Sequence, residues 1–236
     1  MDYALRPDFA YRAPADARAT FLRRTYGHLA GAVLAFTALE MLLFSSGAAE
    51  EIVRSLFFGS NVSMLFLLVG FIGAGWVAQY WARSAQSPGL QYLGLGLYVV
   101  VEVLIFLPLL YVAVRYSDPS VLPTAAIMTL SLFAGLTTAA FATRKDMSFL
   151  GPIIMIGSFV ALGFIVAGIL FQFQLGVFFS LAMVGLASLA ILYSTSNVLH
   201  HYRTDQHVAA ALDLFAAVAL LFYYILLALI QLNNRR

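Results

Sequence analysis

Cysteine is absent from the 236 residues, which excludes a disulfide framework, thiolate metal sites and a cysteine nucleophile. Charge is scarce as well: 13 Lys and Arg with 11 Asp and Glu make 10% of the chain, against about 25%, or roughly 59 residues, in an ordinary soluble domain. Water is therefore not the main solvent, and a nucleic-acid binder, a disordered tail protein and a secreted scaffold are all excluded. No Gly-rich phosphate loop, GxSxG elbow or pair of loop carboxylates occurs, so the expectation is a protein without catalytic machinery or cofactor. The first 25 residues, MDYALRPDFAYRAPADARATFLRRT, mix prolines with charges of both signs around no apolar core, so no cleavable presequence is expected.

What fills the chain instead is apolar: 62% of residues are hydrophobic, with 20 Phe and 12 Tyr. A spanning helix needs about 20 mostly apolar residues, and seven runs meet that length: Tyr26 to Ser46, Asn61 to Ala82, Gly89 to Val114, Val121 to Ala142, Phe149 to Phe171, Leu175 to Thr195 and His207 to Leu232. The runs lack the polar alternation of barrel strands, and every backbone group must be satisfied within lipid, so helices are required. The expectation is an all-α membrane protein, a seven-helix bundle over residues 26–232, with a flexible tail over 1–25 and a short tail over 233–236.

Basic residues set the orientation. One set of ends holds nine of them (Arg6, Arg12, Arg18, Arg23, Arg24, Arg83, Arg144, Lys145 and Arg203), and the other holds Arg54, Arg115, Arg235 and Arg236. The amino terminus is expected in the cytoplasm and the carboxyl terminus outside. Small residues in Gly27-His-Leu-Ala-Gly31, Gly157 with Ala161, Gly163 with Ala167, and Gly70, Gly73 and Gly75 fit close helix packing. Trp76, Tyr80, Trp81, Tyr92 and Tyr116 fit interfacial anchors.

Ionisable groups within spans are costly enough to single out. Glu102 falls near the middle of the third span, between LYVVV and VLIFLP; it reads either as a proton- or cation-accepting group or as a carboxyl bonded to a neighbouring helix. Pro108, six residues on, frees a backbone carbonyl for the same surroundings. Asp213 lies two turns into the last span, where the helix dipole alone would favour an acid. Glu40, nearer the outer end of the first span, reads mainly as a packing carboxyl. Arg83 closes the second span and is either a positive anchor or a partner for one of the inner acids. His200, His201 and His207 lie near one another in sequence, yet no HExxH pattern or carboxylate pair completes a metal site.

Two strings carry more than composition: FATRKDMSFLGPIIMIG over 141–157 and AILYSTSNVLHHYRTDQHVAAALDLF over 190–215. With RRTYGHLAGAVLAF leading into the first span, they resemble the Bax inhibitor-1/YccA family of multi-pass membrane proteins, and most closely its bacterial YccA-type members. That resemblance implies a bundle whose last helix is central, no enzymatic activity, and residence in a bacterial inner membrane. It also implies two roles of different kinds. One is modulation of membrane-protein quality control by binding FtsH, a membrane-anchored ATP-dependent protease that grips the amino-terminal tail. The other is a pH-sensitive calcium leak latched by two aspartates, with calcium as the permeant ion. At the positions where the family's latch residues fall, this chain has Ser194 and Ala217, neither of which ionises. Asp213 is one helical turn from Ala217 and could partly replace it, with Ser194 as a neutral ligand and Glu102 as a further acid. A lone carboxylate lacks the like-charge coupling that makes a diacid titrate near neutral pH.

Overall fold

A computed structural model describes residues 9–57, 61–84 and 87–233. Eight helices follow one another, with no strand among the described residues: α1 (Ala15–Ser45), α2 (Ala48–Phe57), α3 (Asn61–Ala82), α4 (Pro88–Tyr116), α5 (Val121–Thr143), α6 (Leu150–Phe171), α7 (Val177–His200) and α8 (His207–Asn233). Seven of them, all but α2, are long and apolar enough to cross a membrane, so the lipid bilayer is the surrounding medium. Arg6, Arg235 and Arg236, which entered the charge count, lie outside the described residues, as do the end of the expected carboxyl-terminal tail and the first eight residues of the amino-terminal one.

The seven expected spans hold, with three differences. Helix α1 starts at Ala15 rather than Tyr26, so much of the expected flexible tail is helical. Pro14 precedes it and Asp16 occupies its first turn, where the dipole favours an acid, and Phe21 and Thr25 are buried. Helix α7 runs on to His200, because Val198 and Leu199 in the added turn are buried in the core. Helix α2 was unforeseen: it is ten residues long, too short to span, and it tucks Ala49 and Val53 against Leu107 while Glu50, Glu51 and Arg54 are exposed. Pro108 sits inside α4 without ending it.

Helix α8 is the core. Apart from Asp213 and Gln231 it is apolar around its circumference, as a helix enclosed by others should be, and Val208, Ala210, Leu212, Leu214, Leu221 and Leu226 are fully covered. Helices α1, α3, α4, α5 and α7 pack on it directly, and α6 lies against α7 and α3, sharing a cluster of Ala161, Met183 and Tyr224. In lipid, helix association relies on close packing and hydrogen bonds, and both are visible. Gln231 of α8 accepts from Ser180 of α7 at 2.9 Å and donates to the Leu175 carbonyl at 2.8 Å.

The small-residue expectations divide. A Cβ on Gly157 would come 2.7 Å from a Leu186 methyl, so that glycine does serve packing, whereas Gly27, Gly31, Gly70, Gly73 and Gly163 have nothing among the described residues within 4 Å of such an atom. The closest approach occurs at Gly94, which was not foreseen: a Cβ there would lie 2.5 Å from both the Ala78 carbonyl oxygen and the Ala82 nitrogen.

Candidate functional site

At the end of the bundle where α3 finishes and α8 begins, a polar vestibule of about 430 Å³ is lined by Arg83, Ser148, Tyr193, Asn197, His201, Tyr202, Gln206 and Asp213. Each wall has a local cause. Arg83 follows α3 directly and its amide still donates to the Gln79 carbonyl. Gln91 of α4 donates to the Ser84 carbonyl at 2.7 Å and so fixes the next residue. Asp213 stands two turns into α8, and Tyr202 lies on the loop between α7 and α8.

The third wall is the string TRKDMSFLG. Arg144 takes a left-handed conformation, φ 51°, and caps α5 through its amide to the Ala140 carbonyl. Asp146 then accepts from the Ser148 amide at 2.9 Å and from His201 Nε2 at 3.0 Å, while the Met147 amide donates to Ser196 Oγ at 2.9 Å. The α5–α6 connection is thus clamped to α7. These bonds hold the Asp146 carboxyl below its ordinary value, the Ser148 amide most strongly and His201 next.

Arg83 and Asp213 meet in this vestibule, so the inner acid that Arg83 engages is Asp213. One guanidinium nitrogen, Nη2, donates to both carboxylate oxygens, at 3.2 and 3.3 Å. The Tyr202 hydroxyl donates to the same carboxylate. Burial, reinforced by that negative neighbour, pushes the Tyr202 hydroxyl well above its ordinary value, so it remains a donor. Burial is the largest influence on Arg83 and works against its charge, but Asp213 and Tyr202 together outweigh it and the guanidinium stays protonated.

The other candidates lie elsewhere. Glu102 is partly buried on α4, with Tyr98 as its hydrogen-bonding neighbour and Tyr223 of α8 close by; Tyr98 also lies within the field of Asp213. Ser194 and Ala217 are buried on α7 and α8 and do not line the vestibule. Glu40 is buried, and neither of its oxygens has a hydrogen-bond partner among the described residues. The three histidines go separate ways: His200 donates to the Ser196 carbonyl, His201 engages Asp146, and His207 lies 5.0 Å from the His28 ring. Tyr202 and Asp146 were not singled out in the sequence. Both lie inside the two informative strings, which was the signal available.

Comparison with known proteins finds relatives along the chain. An uncharacterized protein of Pseudomonas aeruginosa, PA2604, is 29% identical over 211 residues, 87% of this chain and 86% of that one. The Golgi anti-apoptotic protein of Vaccinia virus (strain Lister) is 26% identical over 247 residues, 99% of this chain and 96% of the viral protein. The modulator of FtsH protease YccA of Escherichia coli (strain K12) is 38% identical over 85 residues, 36% of this chain and 38% of its own. The family described as inhibitor of apoptosis-promoting Bax1 matches residues 18–235, and the chain, a multi-pass helical membrane protein, belongs to this Bax inhibitor-1 family.

Proposed function

We propose that this protein is a non-catalytic component of a bacterial inner membrane, amino terminus in the cytoplasm, that modulates membrane-protein quality control by binding an FtsH-type protease. The observation that carries this reading is the state of the vestibule. Among the described residues its lining holds one carboxylate, Asp213, and that carboxylate is already bonded by Arg83 and Tyr202. A permeant divalent cation needs several oxygen ligands and uncompensated negative charge, and here a guanidinium sits where such charge would be. With Ser194 and Ala217 uncharged, the vestibule suits a structural joint better than an ion gate. The name of the Escherichia coli relative, a modulator of FtsH protease, supports the partner.

The test is co-purification of the tagged full chain with an FtsH-type protease, compared with truncation of residues 1–8. This truncation stops short of α1, which begins at Ala15. Capture by the full chain, and its loss from the truncated one, is the expected result; no capture by either would overturn the reading.

A second reading, a pH-sensitive calcium leak, draws on Asp213 and Glu102 as inner acids, with Tyr98 hydrogen-bonded to Glu102 and within the field of Asp213. Calcium flux into liposomes at about pH 6 and pH 8 separates the two readings. The leak reading requires flux above empty liposomes that Asp213→Asn or Glu102→Gln removes or makes insensitive to pH.

A further inference from the structure

Helices α1 and α4 diverge on the outside of the bundle and leave a groove of about 600 Å³. On α1 it is bordered by Arg24, His28, Gly31, Ala35 and Leu39, which recur every three or four residues and so share one face, with Gly27 beside His28. Tyr92, Gly96 and Val100 border it on α4, and buried Ala32, Leu95 and Val99 form its floor. The fifteen residue steps from Arg24 to Leu39 cover roughly 22 Å at 1.5 Å per residue. One leaflet, headgroup layer included, is about 20–22 Å thick.

The groove has two chemically different ends. Along most of its length it is apolar, and Gly27, Gly31 and Gly96 have nothing within 4 Å of where a Cβ would stand. Glycine is the poorest helix former after proline, and no packing among the described residues calls for these three. At the basic end, exposed Arg24 pairs with no carboxylate among the described residues, and exposed Arg23 lies beside it. His28 holds the mouth in shape: its Nδ1 donates to the Arg24 carbonyl at 2.6 Å, and its Nε2 lies 3.2 Å from the Tyr92 hydroxyl of α4.

We propose that this groove binds one anionic phospholipid of the leaflet on the arginine-rich side, with an acyl chain along Gly27, Gly31 and Gly96 and the phosphate on Arg24. The groove opens onto lipid, so hydrocarbon is what fills it, and the unpaired guanidinium at headgroup depth selects a negatively charged species. A second copy of the chain fits less well. Two copies in one membrane share orientation, and a symmetric contact would set one concave surface against another and bring Arg23 and Arg24 against their own counterparts at equal depth.

The test uses the full chain reconstituted in vesicles of equimolar dioleoylphosphatidylglycerol and dioleoylphosphatidylcholine, then released for native mass spectrometry. The unaltered protein retains one phosphatidylglycerol with about fivefold preference, the size expected for one basic residue near an anionic headgroup. Gly31→Leu with Gly96→Leu fills the groove and abolishes retention, while Gly70→Leu with Gly73→Leu, on exposed α3 positions outside the groove, leaves it unchanged. Arg24→Gln, a surface change independent of groove packing, keeps a retained lipid but removes the preference. The proposal is overturned if the preference survives both Arg24→Gln and the filled groove. It is equally overturned if filling the groove converts a dimer to a monomer without changing lipid retention.

Discussion

The Ala10 amide donates to the Tyr202 carbonyl at 2.9 Å, while the hydroxyl of the same tyrosine holds Asp213. One residue therefore joins the segment before α1 to the vestibule. Ala10 is fully buried, and Phe9 pairs with Arg203 beside it. A protease that grips residues before Phe9 would pull on this joint, which gives the proposed partner a mechanical route to the polar cluster.

Ala10→Pro tests the joint by removing the donor. A typical intramolecular hydrogen bond contributes about 0.5–1.5 kcal/mol, so opening of the 201–206 loop should rise roughly two- to tenfold. Hydrogen–deuterium exchange across that loop measures it. Unchanged exchange would mean that the α7 and α8 ends hold the loop without help from the amino-terminal segment.

The two donors to Asp213 should differ in weight. Arg83 is half-exposed, with 51% of its side chain accessible, and exposed ion pairs contribute about 0–1 kcal/mol. Tyr202 is part-buried against the carboxylate, and a hydrogen bond to a charged group contributes about 1.5–3 kcal/mol. Tyr202→Phe should therefore lower the thermal midpoint more than Arg83→Gln does. The reverse order would show that the guanidinium, not the phenol, is the main restraint on Asp213.

Much of this architecture is legible in the sequence, because length and hydrophobicity are one-dimensional signals. Asn61–Ala82 and the start of α8 at His207 coincide with the runs read from the chain. The start of α1 was hidden because Arg18, Arg23 and Arg24 read as part of a flexible tail, although they lie on a helix whose other face buries Phe21 and Thr25. Helix α2 escaped because ten residues with three charges carry no spanning signal. Arg83 and Asp213 could be named as costly groups, yet 130 residues separate them, and only the packing of α3 on α8 decides that they meet. Glycine spacing misled for a related reason: it records where backbones could approach, not where a neighbour is present.

The Asp146 clamp supplies a pH signature. Its carboxyl is held below the ordinary value by the Ser148 amide and then by His201, so the folded state favours the ionised form. The resulting stability is present above the unfolded-state value, about 3.9 for an aspartate, and is lost as pH falls through the lower folded value. Melting of the purified chain between about pH 5 and pH 3 should show a steeper decline for the unaltered protein than for Asp146→Asn, which has no carboxyl to protonate. Parallel declines would remove Asp146 from the account of acid stability.

Gly94 ties the lipid-buried packing to the vestibule. Its missing Cβ leaves room for the backbone of α3, since an added atom would lie 2.5 Å from Ala78 O and Ala82 N and 3.1 Å from Ala82 Cα. Backbone cannot rotate away as a side chain can, so Gly94→Ala must move α3 from α4, and overpacking of this kind costs about 1–3 kcal/mol. Gly70→Ala meets open space and gains helix propensity, so it should be neutral or stabilising by up to about 1 kcal/mol. The displacement has a second consequence, because Arg83 directly follows Ala82. A shift of α3 large enough to relieve the clash carries the guanidinium with it, and a bond that begins at 3.2 Å has little slack before it weakens. Gly94→Ala should therefore reduce the thermal midpoint and also the coupling between Arg83→Gln and Asp213→Asn in a double-mutant cycle. A lower midpoint with the coupling intact would mean that the α3 end is positioned by the Gln91 bond to Ser84 rather than by the contact at Gly94.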